Sequence, residues 1–175
     1  MRLFFALWPE SDVARQFAHA ASQLQQSSPA RLVNFRNYHL TLAFLGEVSA
    51  ANLVVLQQIG GRQRASCCNI VFGGLEYWPD PKVVVSIAQV FPTALYDLSA
   101  QLRGAADQHR LTATSPAPQF RAHVTLARKV AQAPVLPTVP PFSWSVNSFS
   151  LVRSDASGDE SVYTVVDTWP LLYEK

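Results

Sequence analysis

The strongest constraint on this chain is a near-repeat. His39-Leu-Thr-Leu-Ala-Phe44 and His123-Val-Thr-Leu-Ala-Arg128 share the order His, apolar, Thr, Leu, Ala, and they begin 84 residues apart. Each follows a loop-like segment and reads as a strand. Alternate side chains of a strand share a face, so His39 lies with Thr41, and His123 with Thr125. Leu40, Leu42, Val124 and Leu126 then point the other way, into a core. Strands related by a pseudo-two-fold would set the two imidazole–hydroxyl pairs against each other across one cleft.

That pairing has a chemistry. Imidazoles that titrate near neutrality can work in tandem, one taking a proton while the other gives one. Two hydroxyls can hydrogen-bond the non-bridging oxygens of a phosphate held between them. In-line displacement at phosphorus needs a base on the attacking side and an acid on the leaving side, and this set supplies both without metal. A zinc site competes for the same histidines, yet neither copy carries the second His or the carboxylate of a pattern such as H-E-x-x-H. Cys67 and Cys68 are the only cysteines. They exclude a disulfide framework and are too few for a zinc cage, so they read as plain strand or core residues. His19 and His109 lack a partner motif and are expected on the surface.

The rest of the chain reads as α+β. Strands are expected at Arg2 to Trp8, His39 to Leu45 (stopped by Gly46), Asn69 to Trp78, Lys82 to Ala88, Ala122 to Lys129, Ser143 to Arg153 and Ser161 to Trp169. Pro79-Asp80-Pro81 makes a hairpin of the third and fourth, and Ser154 to Glu160 reads as the last turn. Helices are expected after Pro9 to about Gln25, with Val13, Phe17, Ala21 and Leu24 on one face, and from the N-cap Ser49 to about Gly60, with Leu53 and Leu56 inward. A third follows Pro92, with the stripe Leu95, Leu98, Leu102 and Ala105. Pro29 to Asn37, Thr112 to Gln119 and Ala131 to Pro141 read as loops. Three helices among seven or eight strands, without a regular βαβ alternation, favour mostly antiparallel sheets.

Length and charge narrow the class. The 175 residues fit one domain, or two lobes sharing a core, rather than several independent domains. Charged residues make up 15%, below the usual ~25%, which excludes a disordered chain or a coiled coil. The net charge of +2 argues against broad nucleic-acid affinity. Eleven of the 14 basic residues are Arg, a bias that leans toward an anionic partner and that a GC-rich genome would also produce. No apolar run reaches the ~18 residues of a membrane span, and residues 3–8 are too few for a signal-peptide core, so the cytoplasm is expected. No coiled coil or sustained apolar stripe suggests assembly, so a monomer is expected.

At the two motifs the sequence resembles the 2H phosphoesterase superfamily, and within it the bacterial RNA 2′,3′-cyclic phosphodiesterase (2′-5′ RNA ligase-like) family. The likeness is carried by Arg2-Leu-Phe-Phe-Ala-Leu7, Asn37-Tyr-His-Leu-Thr-Leu-Ala-Phe-Leu-Gly-Glu47, Phe120-Arg-Ala-His-Val-Thr-Leu-Ala-Arg128, Phe149-Ser-Leu151 and Tyr163-Thr164. The resemblance implies a two-lobed fold with a central cleft and one motif on each side. It also implies metal- and cofactor-independent opening of an RNA-terminal 2′,3′-cyclic phosphate to a 2′-phosphate. His39 would then be the proton donor to the departing oxygen, His123 the acceptor that activates water, and Thr41 and Thr125 the phosphate holders, with donor and acceptor exchanged in the reverse direction. Some relatives make or break 2′-5′ linkages instead, so a 2′-5′ RNA ligase or phosphodiesterase acting on small nucleotides or tRNA halves is one alternative and a non-catalytic RNA-binding module another.

Two arginines join the candidate set. Arg121 shares face parity with His123. Arg128 has the opposite parity and reaches a phosphate only where the strand bends or ends, although the family places an Arg there. Tyr38, Phe44, Trp8 and Trp78 are expected to pack in the core rather than stack a base. The family often has a basic residue beside the tyrosine matching Tyr163. Here Asp159 and Glu160 precede it, so this edge is expected to contact RNA weakly.

Overall fold

A computed structural model of the chain describes residues 1–25, 30–112, 120–157 and 160–173. Among the described residues nine strands form two antiparallel sheets, with three α-helices against them. The four-stranded sheet has the order β3 (Leu40–Glu47), β1 (Arg2–Leu7), β8 (Ser148–Ser157), β9 (Glu160–Pro170). The five-stranded sheet runs β2 (Arg31–Leu32), β6 (His123–Arg128), β5 (Val83–Val90), β4 (Cys68–Trp78), β7 (Phe142–Val146).

The near-repeat extends into the topology. In each half a strand leads into a helix, and the motif strand then returns antiparallel to the first: β1, α1 (Ser11–Gln25) and β3 in one, β5, α3 (Thr93–Gln108) and β6 in the other. The helices cross over. The first helix packs on β6 and β7, and the third on β3, so each half's helix supports the opposite motif strand. Phe17 of α1 meets Phe72, Phe142 and Trp144 at ring separations of 5.0 to 6.1 Å. The second helix, α2 (Leu53–Arg62), packs on β8, β9 and α3. One continuous apolar core joins both sheets. Leu40, Leu42, Val124 and Leu126 are at most 1% exposed in it, as the alternation requires.

Several expected boundaries move, each because of a partner distant in sequence. The stretch expected as one strand from Ser143 to Arg153 is two. Val146 pairs with Cys68 in one sheet and Ser148 with Pro170 in the other, and the chain changes sheets at Asn147. Extended propensity is continuous through this point because it measures backbone conformation and not the identity of the neighbour. Gly46 does not stop β3. It takes φ 75° within a register irregularity against β1, which a residue without Cβ accommodates, and the strand continues to Glu47. Inside the expected loop from Pro29 to Asn37, Arg31 and Leu32 pair with the end of β6, and residues 35–37 form a single 3-10 turn. Strands β8 and β9 extend to Ser157 and Glu160, taking in most of the segment expected as the last turn. On α3 the buried alanine is Ala106, while Ala105 is half-buried. Most of the expected loop from Thr112 to Gln119 lies outside the described residues.

Candidate active site

The two motif histidines are held by the same local device. The Nδ1 of His39 lies 2.7 Å from the carbonyl oxygen of Asn37, and the Nδ1 of His123 lies 2.7 Å from that of Arg121, each two residues upstream. A carbonyl oxygen only accepts, so both Nδ1 atoms carry hydrogen and both neutral rings keep the lone pair on Nε2. Both imidazoles are half-buried, as are Thr41 and Thr125. His19 and His109 differ from them: both are exposed, as expected.

A matched irregularity follows each motif. Along β3, Thr41 pairs with Ala6 and Ala43 with Phe5, so Leu42 is an extra residue. Along β6, Thr125 pairs with Val85 and Ala127 with Val84, so Leu126 is extra in the same way. These are β-bulges at equivalent positions. A bulge shifts the alternation by one: Leu42 and Ala43 are both buried, as are Leu126 and Ala127, and the next residue in each strand, Phe44 or Arg128, is exposed. The parity objection to Arg128 is thereby removed, since the strand bends before it. Each bulge carbonyl finds a donor. The oxygen of Leu126 accepts from the backbone N–H of Val33 at 2.8 Å. On β3, an edge strand, the Leu42 oxygen accepts from the buried Ser99 hydroxyl of α3 at 2.6 Å.

Aromatic walls flank both rings. Leu3, Phe5 and Leu7 of β1 face the core, while Phe4 and Ala6 form a second, smaller cluster with Val152, against which Trp8 and Tyr163 pack. Trp8 stacks on His39 at 5.3 Å with 7° between planes, Tyr163 meets it edge-on at 5.0 Å, and Phe4 is also at 5.0 Å. Trp78 lies 4.5 Å from His123. The core role expected for Trp8, Trp78 and Phe44 is therefore corrected: the tryptophans wall the site, and Phe44 is exposed beneath the Arg2 guanidinium. The cause is that strands buried on both faces carry apolar residues at every position. Only Tyr38 packs in the core, beside Phe17.

Burial and charge set the protonation of the pair. Burial is the main reason that His39 is lowered from 6.5 to about 4; the Arg128 and His123 charges push the same way, against the Asn37 carbonyl. His123 is also lowered, first by burial and then by the Arg121 and Arg128 charges, against the Arg121 carbonyl. The histidines are thus close enough to sense each other, and Arg128 acts on both. Arg121 is placed differently. Its guanidinium lies over Trp78 at 5.1 Å, and one nitrogen donates to both carboxylate oxygens of Glu76 at 2.8 Å. Trp78 Nε1 donates to the same carboxylate at 2.8 Å. The Trp78 bond, followed by Arg121, holds the Glu76 carboxyl below its ordinary range. Sequence reasoning missed this Glu76 hub, although Glu76 and Trp78, two apart on one strand, share a face.

A cavity of about 130 Å³ adjoins the pair, lined by Arg31, Arg128 and Lys129 on one side and by Ser161 and Tyr163 of β9 on another, with Asn34, Asn37, Leu32 and Val33 completing it. None of Arg31, Asn34, Asn37 or Lys129 is a sequence candidate: the first three lie in a segment of loop composition, and Lys129 closes an expected strand. Among the described residues no group of three or more His, Cys, Asp or Glu is gathered to hold a metal ion, and no helix is long and apolar enough to cross a membrane. Cys67 and Cys68 are half-buried free thiols at the start of β4.

Two antiparallel sheets, each delivering a His-x-Thr strand to a common site, define a 2H phosphoesterase. The model of the 2′-5′ RNA ligase superfamily matches residues 9–158, and the chain belongs to that family. It is 32% identical over 173 residues to the RNA 2′,3′-cyclic phosphodiesterase of Escherichia coli (strain K12), covering 97% of this chain and 96% of that protein. It is 29% identical over 182 residues to the RNA 2′,3′-cyclic phosphodiesterase of Thermus thermophilus, covering 99% and 92%. The crystal structure of E. coli LigT complexed with 3′-AMP superposes with a TM-score of 0.87 at 31% identity, covering 97% of each chain.

Proposed function

We propose that this chain is an RNA 2′,3′-cyclic phosphodiesterase that hydrolyses the terminal cyclic phosphodiester to a 2′-phosphomonoester by two-histidine acid–base catalysis. The observation that carries the reading is the paired commitment of Nδ1–H on His39 and His123 to backbone carbonyls, which leaves each Nε2 as the reactive atom. The comparisons with the two bacterial phosphodiesterases support the substrate class.

The roles follow the motif. Water attacks phosphorus while its proton passes to Nε2 of His123. The P–O3′ bond breaks, and the O3′ atom takes a proton from Nε2 of protonated His39, giving a 2′-phosphate and a 3′-hydroxyl. Thr41 and Thr125 donate to the non-bridging oxygens, and Arg128 offsets their negative charge. With its pKa lowered to about 4 by burial, His39 of the free protein is neutral near pH 7. A bound phosphodiester anion favours the imidazolium, so the acid is charged when substrate arrives. Arg121, held by Glu76, is a positioning residue that supplies the carbonyl orienting His123.

The test is hydrolysis of an RNA bearing a 2′,3′-cyclic end in the presence of EDTA. Turnover is expected to survive the chelator, to yield the 2′-phosphate, and to fall by about 10²–10⁴ in His39→Ala or His123→Ala. Unchanged rates in both variants defeat the proposal. Formation of 2′-5′ linkages as the faster reaction would favour the ligase reading.

A further inference from the structure

The cavity beside the histidines has a feature that hydrolysis of the cyclic phosphate does not use. Arg31 and Arg128 are direct partners across the β2–β6 pair, and both line the cavity. Lys129 would point away from Arg128 in a continuing strand. It instead takes φ 57°, a rare conformation for a residue other than glycine, and lines the same cavity. Backbone geometry therefore concentrates three cations on one small volume in a chain whose net charge is only +2.

The position of this volume is equally specific. Neither motif histidine nor either motif threonine lines it, so it is not the seat of the reacting phosphate. It shares Asn37 and Tyr163 with the surroundings of His39, and its Arg128 acts on both histidines. The cavity therefore borders the surroundings of His39, where the cyclic end is proposed to lie.

We infer that the cavity bounded by Arg31, Arg128 and Lys129 is the subsite for the internucleotide phosphate adjoining the cyclic end, which makes an oligonucleotide, rather than a cyclic mononucleotide, the preferred substrate. The inference rests on the proposed phosphodiesterase activity and adds its substrate length. It also gives the edge at Tyr163, expected to contact RNA weakly because of Asp159 and Glu160, a basic facing wall. Arg31 and Lys129 become specificity residues, with Asn34 as a further polar neighbour.

Three substrates separate the possibilities: a nucleoside 2′,3′-cyclic phosphate, a dinucleotide with the same cyclic end, and that dinucleotide with a neutral methylphosphonate linkage. The wild-type enzyme is expected to favour the charged dinucleotide over the neutral one by about tenfold in kcat/KM, the size of a charge-assisted contact. Arg31→Gln and Lys129→Asn (asparagine tolerates the positive φ) are expected to remove most of that preference. They should also flatten the slope of log kcat/KM against log salt by about 0.7 per lost phosphate contact. Equal rates on charged and neutral dinucleotides, or variants that lower all three substrates by one factor, overturn the subsite. Binding is measured in parallel with the 2′-phosphate products of the charged and neutral dinucleotides. If no cyclic substrate turns over, the phosphodiesterase reading fails. The subsite then stands on tighter binding of the charged product that Arg31→Gln abolishes, and falls if the two products bind alike.

Discussion

Removing the titration of His39 should make the protein more resistant to acid. The ring is packed among Trp8, Tyr163 and Phe4, and this burial lowers it from 6.5 to about 4. Between those pH values the unfolded chain binds a proton at this site and the folded chain does not, so stability falls as pH falls. The contribution is fully present above about pH 6.5, is lost progressively below it, and levels off below about pH 4. A displacement from 6.5 to about 4, at about 1.4 kcal/mol per pH unit, sets a ceiling of about 3 kcal/mol. His39→Gln removes the titration, and its side chain can still donate to the Asn37 carbonyl. Urea unfolding at pH 7.5 and 4.5, with m unchanged, is the assay. Wild type is expected to lose about 2–3 kcal/mol more than the variant across that interval. Equal losses in the two proteins would show that burial of this imidazole does not control its charge, and the account of a neutral His39 in the free protein would fail. The same linkage predicts that a bound phosphate takes up protons, so product affinity should rise as pH is lowered from 7 to 5.

Two other perturbations probe the supports of the site. Ser99→Ala strips the donor from the buried Leu42 carbonyl at the β3 bulge. It should cost about 1–3 kcal/mol and lower Tm by about 3–10 °C; an unchanged melting curve would mean that the bulge needs no such partner. Glu76→Gln leaves Arg121 without its counter-charge beside His123. Stability should change by less than about 1 kcal/mol because the pair is exposed. The limb of the pH–rate profile governed by His123 should shift to lower pH, as the less neutralised guanidinium opposes the imidazolium, and an unmoved limb would remove Glu76 from the positioning of His123.

The crossed helices bear on how the site stays rigid. Because α1 supports β6 and α3 supports β3, separating the two motif strands would break packing in both halves at once. Neighbouring elements fix each bulge, which re-aims Phe44 and Arg128 after the core-facing leucines, so the geometry around the two imidazoles belongs to the tertiary structure rather than to flexible loops.

Local periodicity determined much of this protein. The two His-x-Thr patterns placed imidazole and hydroxyl on one face and aliphatics on the other, and Leu40, Leu42, Val124 and Leu126 are buried accordingly. The stripe on α1 and the hairpin at Pro79-Asp80-Pro81 were legible for the same reason: they depend on spacing and on residues that restrict their own backbone. Long-range partners decided the rest. The split at Asn147, the two-residue β2, the bulges that turn Arg128 toward the histidines and the helix exchange all depend on which segment lies alongside, and a sequence carries no local mark of its neighbour. Trp8 and Trp78 show the limit most plainly, because an apolar ring on a strand covered on both sides fits the core and the wall of a catalytic cleft equally well until the opposite face is known.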